Sequence, residues 1–557
     1  MNMKNTADSH QSENKDKNNP KNKNGDTGRR EALKTMATVP VLGAMAYGFY
    51  KKRKETLRQE NASNMFRFKS EEKKVLPVSG NDKIIRIGVI GTGIRGIHLL
   101  RALGFATPQY LDELKELARR DSKNTRYADF QEQEDLRVQI TAICDVFDYH
   151  AEEGIAAGAN IYREGRDGKY GTPPKRYGNY RELLAATDVD AVVIATPDHW
   201  HGTMAMDALK SGKHVYLEKP MTWTVEETYL LREVVNNSSP VFQLGHQNRQ
   251  IEAYDRAREI VQRGLLGPIT LVQTGTNRND PNGAWVYPIH PEANRKNIDW
   301  QQFNGNPERI KEYLNYMESS GLVRYVGPDA REKFSLERFF RWRCWWDYST
   351  GLSGDLLTHE YDAMNQILGL GIPDSATSSG GVYFFKDGRT VPDVLQTTFE
   401  YKDRGTTMLY SATLASQFNR TRKIMGHDAT MEVGSTLTIT VDPLSQKYAE
   451  KIERGVIKPG EPFYQYIPGR SVDAVSSATE LYFAQRGLLY SYVGGKRYDT
   501  TFLHMKEWLH SIRTGEKNSC GIQEGFEEAI TAHMGTRAYL EGRTIYWDRD
   551  KEEIVKG

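Results

Sequence analysis

The sequence predicts an α/β chain in three parts: a head over residues 1–80, a doubly wound parallel-sheet domain over 81–222, and an α/β (α+β) domain over 223–557 with a large, open, mixed sheet. Three observations carry this. Apolar β-branched runs alternate with helical stretches from residue 84 to about 222, the order of a parallel sheet. A glycine turn follows the first of those runs. Past residue 380, runs of period two dominate, as in strands buried on one face.

At 557 residues the chain exceeds what one core organises. Lys plus Arg number 75 against 73 Asp plus Glu, and a net charge of +2 gives no electrostatic footprint for nucleic acid. Cys144, Cys344 and Cys520 are too few and too far apart for a disulfide framework or a zinc site. Thirty Tyr and nine Trp are a generous aromatic supply, suited to stacking on sugar rings as well as to ordinary core packing.

The head begins with about 28 polar and charged residues, too poor in apolar surface to fold. Arg29 and Arg30 then precede an uncharged run from Thr35 to Tyr50, with Ala44-Met45-Ala46 as an A-x-A site. This resembles a twin-arginine export signal, with Gly28 and Ala32 departing from the usual residues. The run is short of the roughly twenty residues that cross a bilayer. Lys51-Lys52-Arg53-Lys54 follows at once, so cleavage and retention as a membrane anchor both stay open, as does a cytoplasmic chain. Residues 51–80 read as a charged linker.

Ile85 to Ile90 reads as the first buried strand, and Gly91, Gly93 and Gly96 form a G-x-G-x-x-G turn opening into a helix. That order is a Rossmann dinucleotide site: a tight turn at Gly91, close backbone approach at Gly93, close helix packing at Gly96, and unpaired helix N–H groups facing a pyrophosphate. A charged insertion runs from Leu111 to Leu136. Val138 to Asp145 is the second strand, ending in an acid that accepts from the adenosine ribose diol and repels a 2′-phosphate, so NAD is favoured over NADP. Asp145 lies about fifty residues past the turn where about twenty is usual, so the insertion is looped out. Asp190 to His201 and His214 to Pro220 supply the third and fourth strand ends. Parallel sheets bind ligands at those ends, so Gly91, Asp145, Thr196 and Lys219 converge on one crevice. His199 and His201 lack a third ligand at metal spacing and read as capping or packing residues.

The set G-T-G-I-R-G, A-T-P-D-H-W-H, G-K-H-V-Y-L-E-K-P and G-H-Q-N-R at Gly245 to Arg249 resembles the Gfo/Idh/MocA oxidoreductases, from about residue 84 to 550. The resemblance implies a Rossmann domain, a C-terminal α/β domain presenting the substrate pocket on an open sheet, and hydride transfer between NAD(P) and a sugar or polyol hydroxyl. It implies a cofactor set of Gly91, Thr92, Gly93, Ile94, Arg95, Gly96, Asp145, Thr196, Pro197, His201, Glu218, Lys219 and Gln247, with Lys219 between nicotinamide and substrate. It also implies homo-oligomers built through the large sheet.

In the second half, Gly351 to Gly369 reads as a helix after a glycine pair. Leu357, Tyr361, Met364 and Leu368 form a buried stripe, and Asp355, His359, Asp362 and Gln366 recur about 200° away. Asp355 is placed to orient the His359 imidazole, and the D-x-x-x-H pattern resembles the family's acid–base site. The catalytic expectation is therefore Lys219, His359 and Asp355, and the substrate-binding expectation Arg249, Trp342, Arg343, Asp355 and His359. Trp285, Tyr287, His290 and Trp300 are expected on pocket-wall loops. Strands are expected at 380–385, 395–401, 406–415, 430–441 and 543–548, helices at 501–514 and 523–541, and an irregular segment over 446–498.

Three functional expectations follow: an NAD-dependent sugar, polyol or glycoside oxidoreductase; an exported glycoside hydrolase or lyase with tightly bound, recycled NAD; and a non-catalytic protein retaining the fold. No metal, nucleic acid or membrane contact beyond the head is expected.

Overall fold

The computed structural model describes residues 47–53, 78, 82–161, 171–305, 333–418, 420–467, 490–493 and 496–556. Arg29, Arg30, the A-x-A site and most of the linker lie outside these. Residues 47–53 are helical, with Tyr47, Phe49 and Tyr50 exposed. Among the described residues, no helix is long and apolar enough to cross a membrane.

The first sheet comprises β1 (Ile85–Ile90), β2 (Val138–Cys144), β3 (Lys175–Tyr177), β4 (Ala191–Ile194), β5 (His214–Leu217) and β6 (Phe242–Leu244). Its order is β3-β2-β1-β4-β5-β6 with every neighbour parallel. The chain reverses direction across the sheet between β1 and β4, which opens a crevice at their carboxyl ends. The sheet extends past residue 222. Helix Val225–Asn236, started by a Thr224/Glu227 capping box, crosses over and returns β6 to the sheet edge. The charged insertion folds as helices Pro108–Arg120 and Arg126–Gln131 on a small core of Ala106, Leu111, Leu114 and Phe130.

Both faces of a parallel sheet need cover. One face is closed from far along the chain: helix Thr500–Thr514 packs Phe502, Met505, Trp508 and Leu509 into the cluster that holds Ile87, Val89 and Tyr216. The other face takes in Cys520 and Ala529. A boundary in sequence is therefore not a boundary in packing.

The second sheet comprises β7 (Ile269–Asn277), β8 (Ser375–Gly381), β9 (Val394–Tyr401), β10 (Thr406–Thr413), β11 (Arg422–Gly426), β12 (Ala429–Val433), β13 (Leu437–Val441) and β14 (Pro462–Tyr466), while β15 (Tyr490–Val493) pairs only with β16 (Lys496–Asp499). β17 (Ile545–Asp548) and β18 (Glu553–Lys556) complete the large sheet in the order β14-β13-β12-β11-β7-β10-β9-β8-β17-β18. β7 and β10 are parallel and the other neighbours antiparallel, so the sheet is mixed as expected. The expected strand 430–441 is the hairpin β12–β13. The expected strand 380–385 is displaced to β8, because Asp393 accepts from the backbone N–H groups of Tyr383, Phe384 and Phe385 and folds that apolar run into a turn. Within 446–498 stand helix Ala449–Glu453, β14, β15 and part of β16, while 468–489 lie outside the described residues.

The helix after Gly351 differs from its two-faced expectation. Ser353–Leu357 is a π turn leading into helix Thr358–Leu368, and almost every residue of both is buried, His359 being half-buried. Helix Ile522–Glu541 and the turn Gln247–Gln250, whose Arg249 bonds Asp362 and Gln366, cover the side that the sequence left for solvent.

Trp508 is fully buried, 5.7 Å from the Tyr216 ring. Trp508→Ala is expected to cost about 3–5 kcal/mol through lost burial and a cavity, read as a lower denaturant midpoint at unchanged slope.

Candidate active site

Gly91 has φ +87°, and a Cβ there would stand 2.7 Å from the Ala195 carbonyl oxygen. A Cβ on Gly96 would stand 2.0 Å from the Gly91 oxygen, so helix Ile94–Ala102 sits directly on the turn. Gly93 caps that helix with no side-chain bond, and its open side meets nothing nearer than His150 at 3.6 Å. The first helical N–H groups are left facing a space that suits a pyrophosphate. Ile94 is 64% exposed beside it.

Asp145 is pinned at the end of β2, where its two oxygens accept from Thr92 N at 2.7 Å and Phe147 N at 2.9 Å. Burial works against its charge, but His150 and these N–H donors outweigh it and lower its pKa. The ionised carboxylate keeps lone pairs for a ribose diol. Turn, helix end and acid together fit a dinucleotide.

Thr196 carries a buried hydroxyl with no partner among the described residues, and Pro197 caps helix Asp198–Lys210. His201, expected beside the cofactor, is instead a brace. It is 1% exposed, with Nδ1 2.6 Å from the Pro220 oxygen and Nε2 2.8 Å from the Thr196 oxygen, so it ties the ends of β4 and β5 together. His199 Nε2 stands 2.7 Å from the Phe303 oxygen. Arg95 donates to Glu218 at 2.8 Å and to Gln247 at 3.1 Å, linking the glycine turn to the β5 and β6 ends.

Lys219 follows Glu218 into the crevice and meets the second domain. Its Nζ donates to the Asp355 carbonyl at 2.8 Å and to Asp355 Oδ1 at 2.9 Å. Arg343 Nε donates to the same Oδ1 at 3.3 Å, with its guanidinium 4.2 Å from the Trp342 ring centroid. Burial raises the Asp355 pKa, yet Lys219, Arg343 and Arg278 overcome this and hold the carboxyl well below the usual range.

Asp355 was expected to orient His359; it does not. The π turn takes its carboxylate to Lys219 and Arg343. Among the described residues, His359 makes no hydrogen bond, and its Nδ1 is buried without a partner. Burial first, then Lys219 and His246, push the His359 pKa well below its ordinary value. The ring is the free base at neutral pH.

Behind His359 stands His246, edge-on at 5.5 Å. Its Nε2 contacts Glu528 and its Nδ1 lies 3.8 Å from Asp362. Burial opposes charge on His246, but Glu528 and Asp362 raise its pKa. His246, Asp362 and Glu528 present ligand-type atoms within 4.8 Å of one another. Arg249 already holds Asp362 at 2.6 and 2.7 Å, so the donor set closes on itself as paired charges. Arg249, expected at the substrate, is thus 7% exposed and committed to Asp362 and to the Ser519 carbonyl at 2.6 Å. Gln366 donates to the Arg249 carbonyl.

The expected pocket wall is divided. The Tyr287 carbonyl accepts from Arg341, whereas His290 lies against Tyr149 at 4.4 Å and Trp300 stacks on Phe303 at 5.2 Å. Trp285 is buried at 4% exposure. Sequence reasoning missed His246, Glu528 and Arg278. His246 lies inside G-H-Q-N-R, and Arg278 follows the alternating run of β7, signals of the kind used elsewhere. Glu528 carries no local signal.

Gly96→Ala is expected to drive helix and turn apart and leave the purified protein without NAD, measured by enzymatic assay of nucleotide released on denaturation. A variant that releases as much NAD as the parent chain contradicts the assignment.

Comparison with known proteins agrees with this fold. A family model described as "Oxidoreductase family, NAD-binding Rossmann fold" matches residues 85–246, and "Oxidoreductase family, C-terminal alpha/beta domain" matches 316–546. An uncharacterized oxidoreductase of Synechocystis is 38% identical over 112 residues, 20% of this chain and 30% of the relative. The alpha-N-acetylgalactosaminidase of Shewanella oneidensis is 29% identical over 258 residues, 44% of this chain and 46% of the relative. Both alignments span less than half of the relative's length. Levoglucosan dehydrogenase, solved with NADH and levoglucosan, shares the fold at TM-score 0.53 and 14% identity, covering 83% of this chain and 99% of that one. The WlbA dehydrogenase of Bordetella pertussis, solved with NADH and UDP-GlcNAcA, does so at TM-score 0.50 and 14% identity, covering 85% and 99%. With a dinucleotide turn in the first domain, a lysine reaching the second, and both domain models matched, the chain belongs to the Gfo/Idh/MocA family of NAD-binding oxidoreductases.

Proposed function

We propose that this chain oxidises a hydroxyl of a sugar, polyol or glycoside. The observation that carries the reading is the unpartnered His359 imidazole near a lysine tied to a buried carboxylate, with that lysine at the end of a strand of the dinucleotide-binding sheet. Bound NAD supplies the hydride acceptor. Gly91, Thr92, Gly93, Ile94 and Gly96 hold its pyrophosphate and Asp145 its ribose diol. His359 takes the proton of the reacting hydroxyl as the carbinol hydride leaves and the oxygen becomes a carbonyl, and burial and Lys219 keep the ring neutral for that step. Lys219 stabilises negative charge developing on that oxygen. Asp355 fixes the Lys219 ammonium in place.

The likeness to alpha-N-acetylgalactosaminidase favours a second reading of the same site. Oxidation at one sugar carbon acidifies its neighbour, the glycosidic substituent leaves by elimination, water adds, and the sugar is reduced back, so the net reaction is hydrolysis. Arg29 and Arg30 ahead of the apolar run support export of a folded chain carrying tightly held NAD, which this reading needs. The outward face of the large sheet is the contact proposed between copies of the chain.

The two readings separate on one assay. Purified protein is denatured and tested for released NAD, and the native protein is screened on glycosides with and without added NAD. Reduced-nicotinamide absorbance that appears only with added NAD supports the dehydrogenase, and aglycone release without added NAD supports the recycling reaction. Neither signal on any glycoside contradicts both.

His359→Ala and Lys219→Ala are expected to lower kcat by at least about 100-fold with folding intact, as for loss of a proton-transfer or charge-stabilising group. Because the His359 pKa is lowered, the base-competent form persists as pH falls through 6.5. The acid limb of kcat/KM is expected well below that value, checked by a pH profile.

A further inference from the structure

Three positive charges gather at the buried Asp355 carboxylate. Lys219 and Arg343 bond Asp355 directly. Arg278, the residue after β7, adds a third charge that acts on Asp355, on His359 and on Tyr410, three groups from two different elements. Its place is fixed by the backbone: its N–H donates to the Thr413 carbonyl at 2.9 Å and its carbonyl accepts from Ser416.

Nearby arginines are already matched. Arg338 pairs with Asp347 at 3.5 Å, Arg341 with Glu337 at 2.9 Å, and Arg422 with Glu360 at 2.7 Å. Arg278 is exposed and has no carboxylate partner among the described residues. Arg343 uses only Nε on Asp355, at 3.3 Å, leaving the fork of its guanidinium for another group. His359, held neutral, adds no charge. Asp198, a second buried carboxylate, also acts on Arg343, but burial raises its pKa and it accepts from Thr350, so the three cations still outnumber the acids.

The cofactor does not supply the missing charge. Its phosphates belong at the glycine turn, where Arg95 is paired with Glu218. A neutral sugar offers guanidinium groups only hydroxyls, whereas a carboxylate or sulfate matches their paired N–H geometry and their charge.

We propose that the sugar taken by this site is anionic, its carboxylate or sulfate ester seated on Arg278 and Arg343 while the reacting hydroxyl lies at Lys219 and His359. The proposal rests on the reading of the site as a sugar site, and its test reads binding so that it stands apart from turnover. NAD-loaded protein is titrated calorimetrically, at low and at moderate salt, with methyl glucuronide and methyl galacturonide, with the 6-sulfates of methyl glucoside and methyl galactoside, and with the neutral parents. At least one anionic series is expected to bind at least tenfold tighter than its neutral parent and to weaken with salt. Arg278→Gln is expected to cut that preference at least fivefold, and Arg278→Lys to restore part of it, with melting midpoints confirming that both variants fold. The series that binds separates carboxylate from sulfate. Equal or tighter binding of the neutral sugars, no binding of either anionic series, or a preference indifferent to Arg278 overturns the proposal. If no glycoside is turned over while the anionic preference holds, the proposed reaction fails and this inference survives.

Discussion

The ion pair between Lys219 and Asp355 is the constraint on which the arrangement depends. It joins the carboxyl end of β5, in the sheet that carries the dinucleotide turn, to the π turn that opens the helix bearing His359. Both partners are largely buried, so neither can lose the other without leaving an uncompensated charge. The pair thereby sets where the two halves of the site meet.

Around that pair, charge is arranged to keep one group uncharged. His359 lies between Lys219 on one side and the raised-pKa ring of His246 on the other, and both disfavour a proton on it. His246 is in turn held by Glu528 and Asp362, and Asp362 by Arg249. Buried charges that are matched pairwise leave His359 neutral, as the proposed proton-accepting role requires. Arg249, Asp362 and Glu528 thus bear on the His359 ring only through His246.

The first domain was legible because its buried strands are apolar runs and its turn needs glycine for stated reasons. β1, β2, β4 and β5 stand where the β-branched runs of Ile85 to Ile90, Val138 to Cys144, Ala191 to Ile194 and His214 to Leu217 put them. β3 and β6 are three residues each at the sheet edges, too short to leave a period, and the early domain end at residue 222 follows from missing β6. In the second domain β9 and β10 show clean alternation of burial, while β12 and β13 merge in sequence because only Gly434 marks the turn. The four strands named from sequence do lie side by side and parallel, which sets their carboxyl ends along one sheet edge, and Lys219, Asp355 and Arg343 do meet. Arg249 and His201 were misplaced for one reason: a motif names a residue but does not show which buried partner will claim it. The Asp355–His359 bond failed because helical spacing was taken as regular across a turn that is not.

The most direct measurement is a crystal structure of the chain with NADH bound. The account predicts the pyrophosphate over Gly93 and the helix Ile94–Ala102, the adenosine ribose on Asp145, and the nicotinamide C4 facing the gap between Lys219 Nζ and the His359 ring. A nicotinamide directed away from that gap, or Lys219 and His359 opening into separate cavities in the complex, contradicts it.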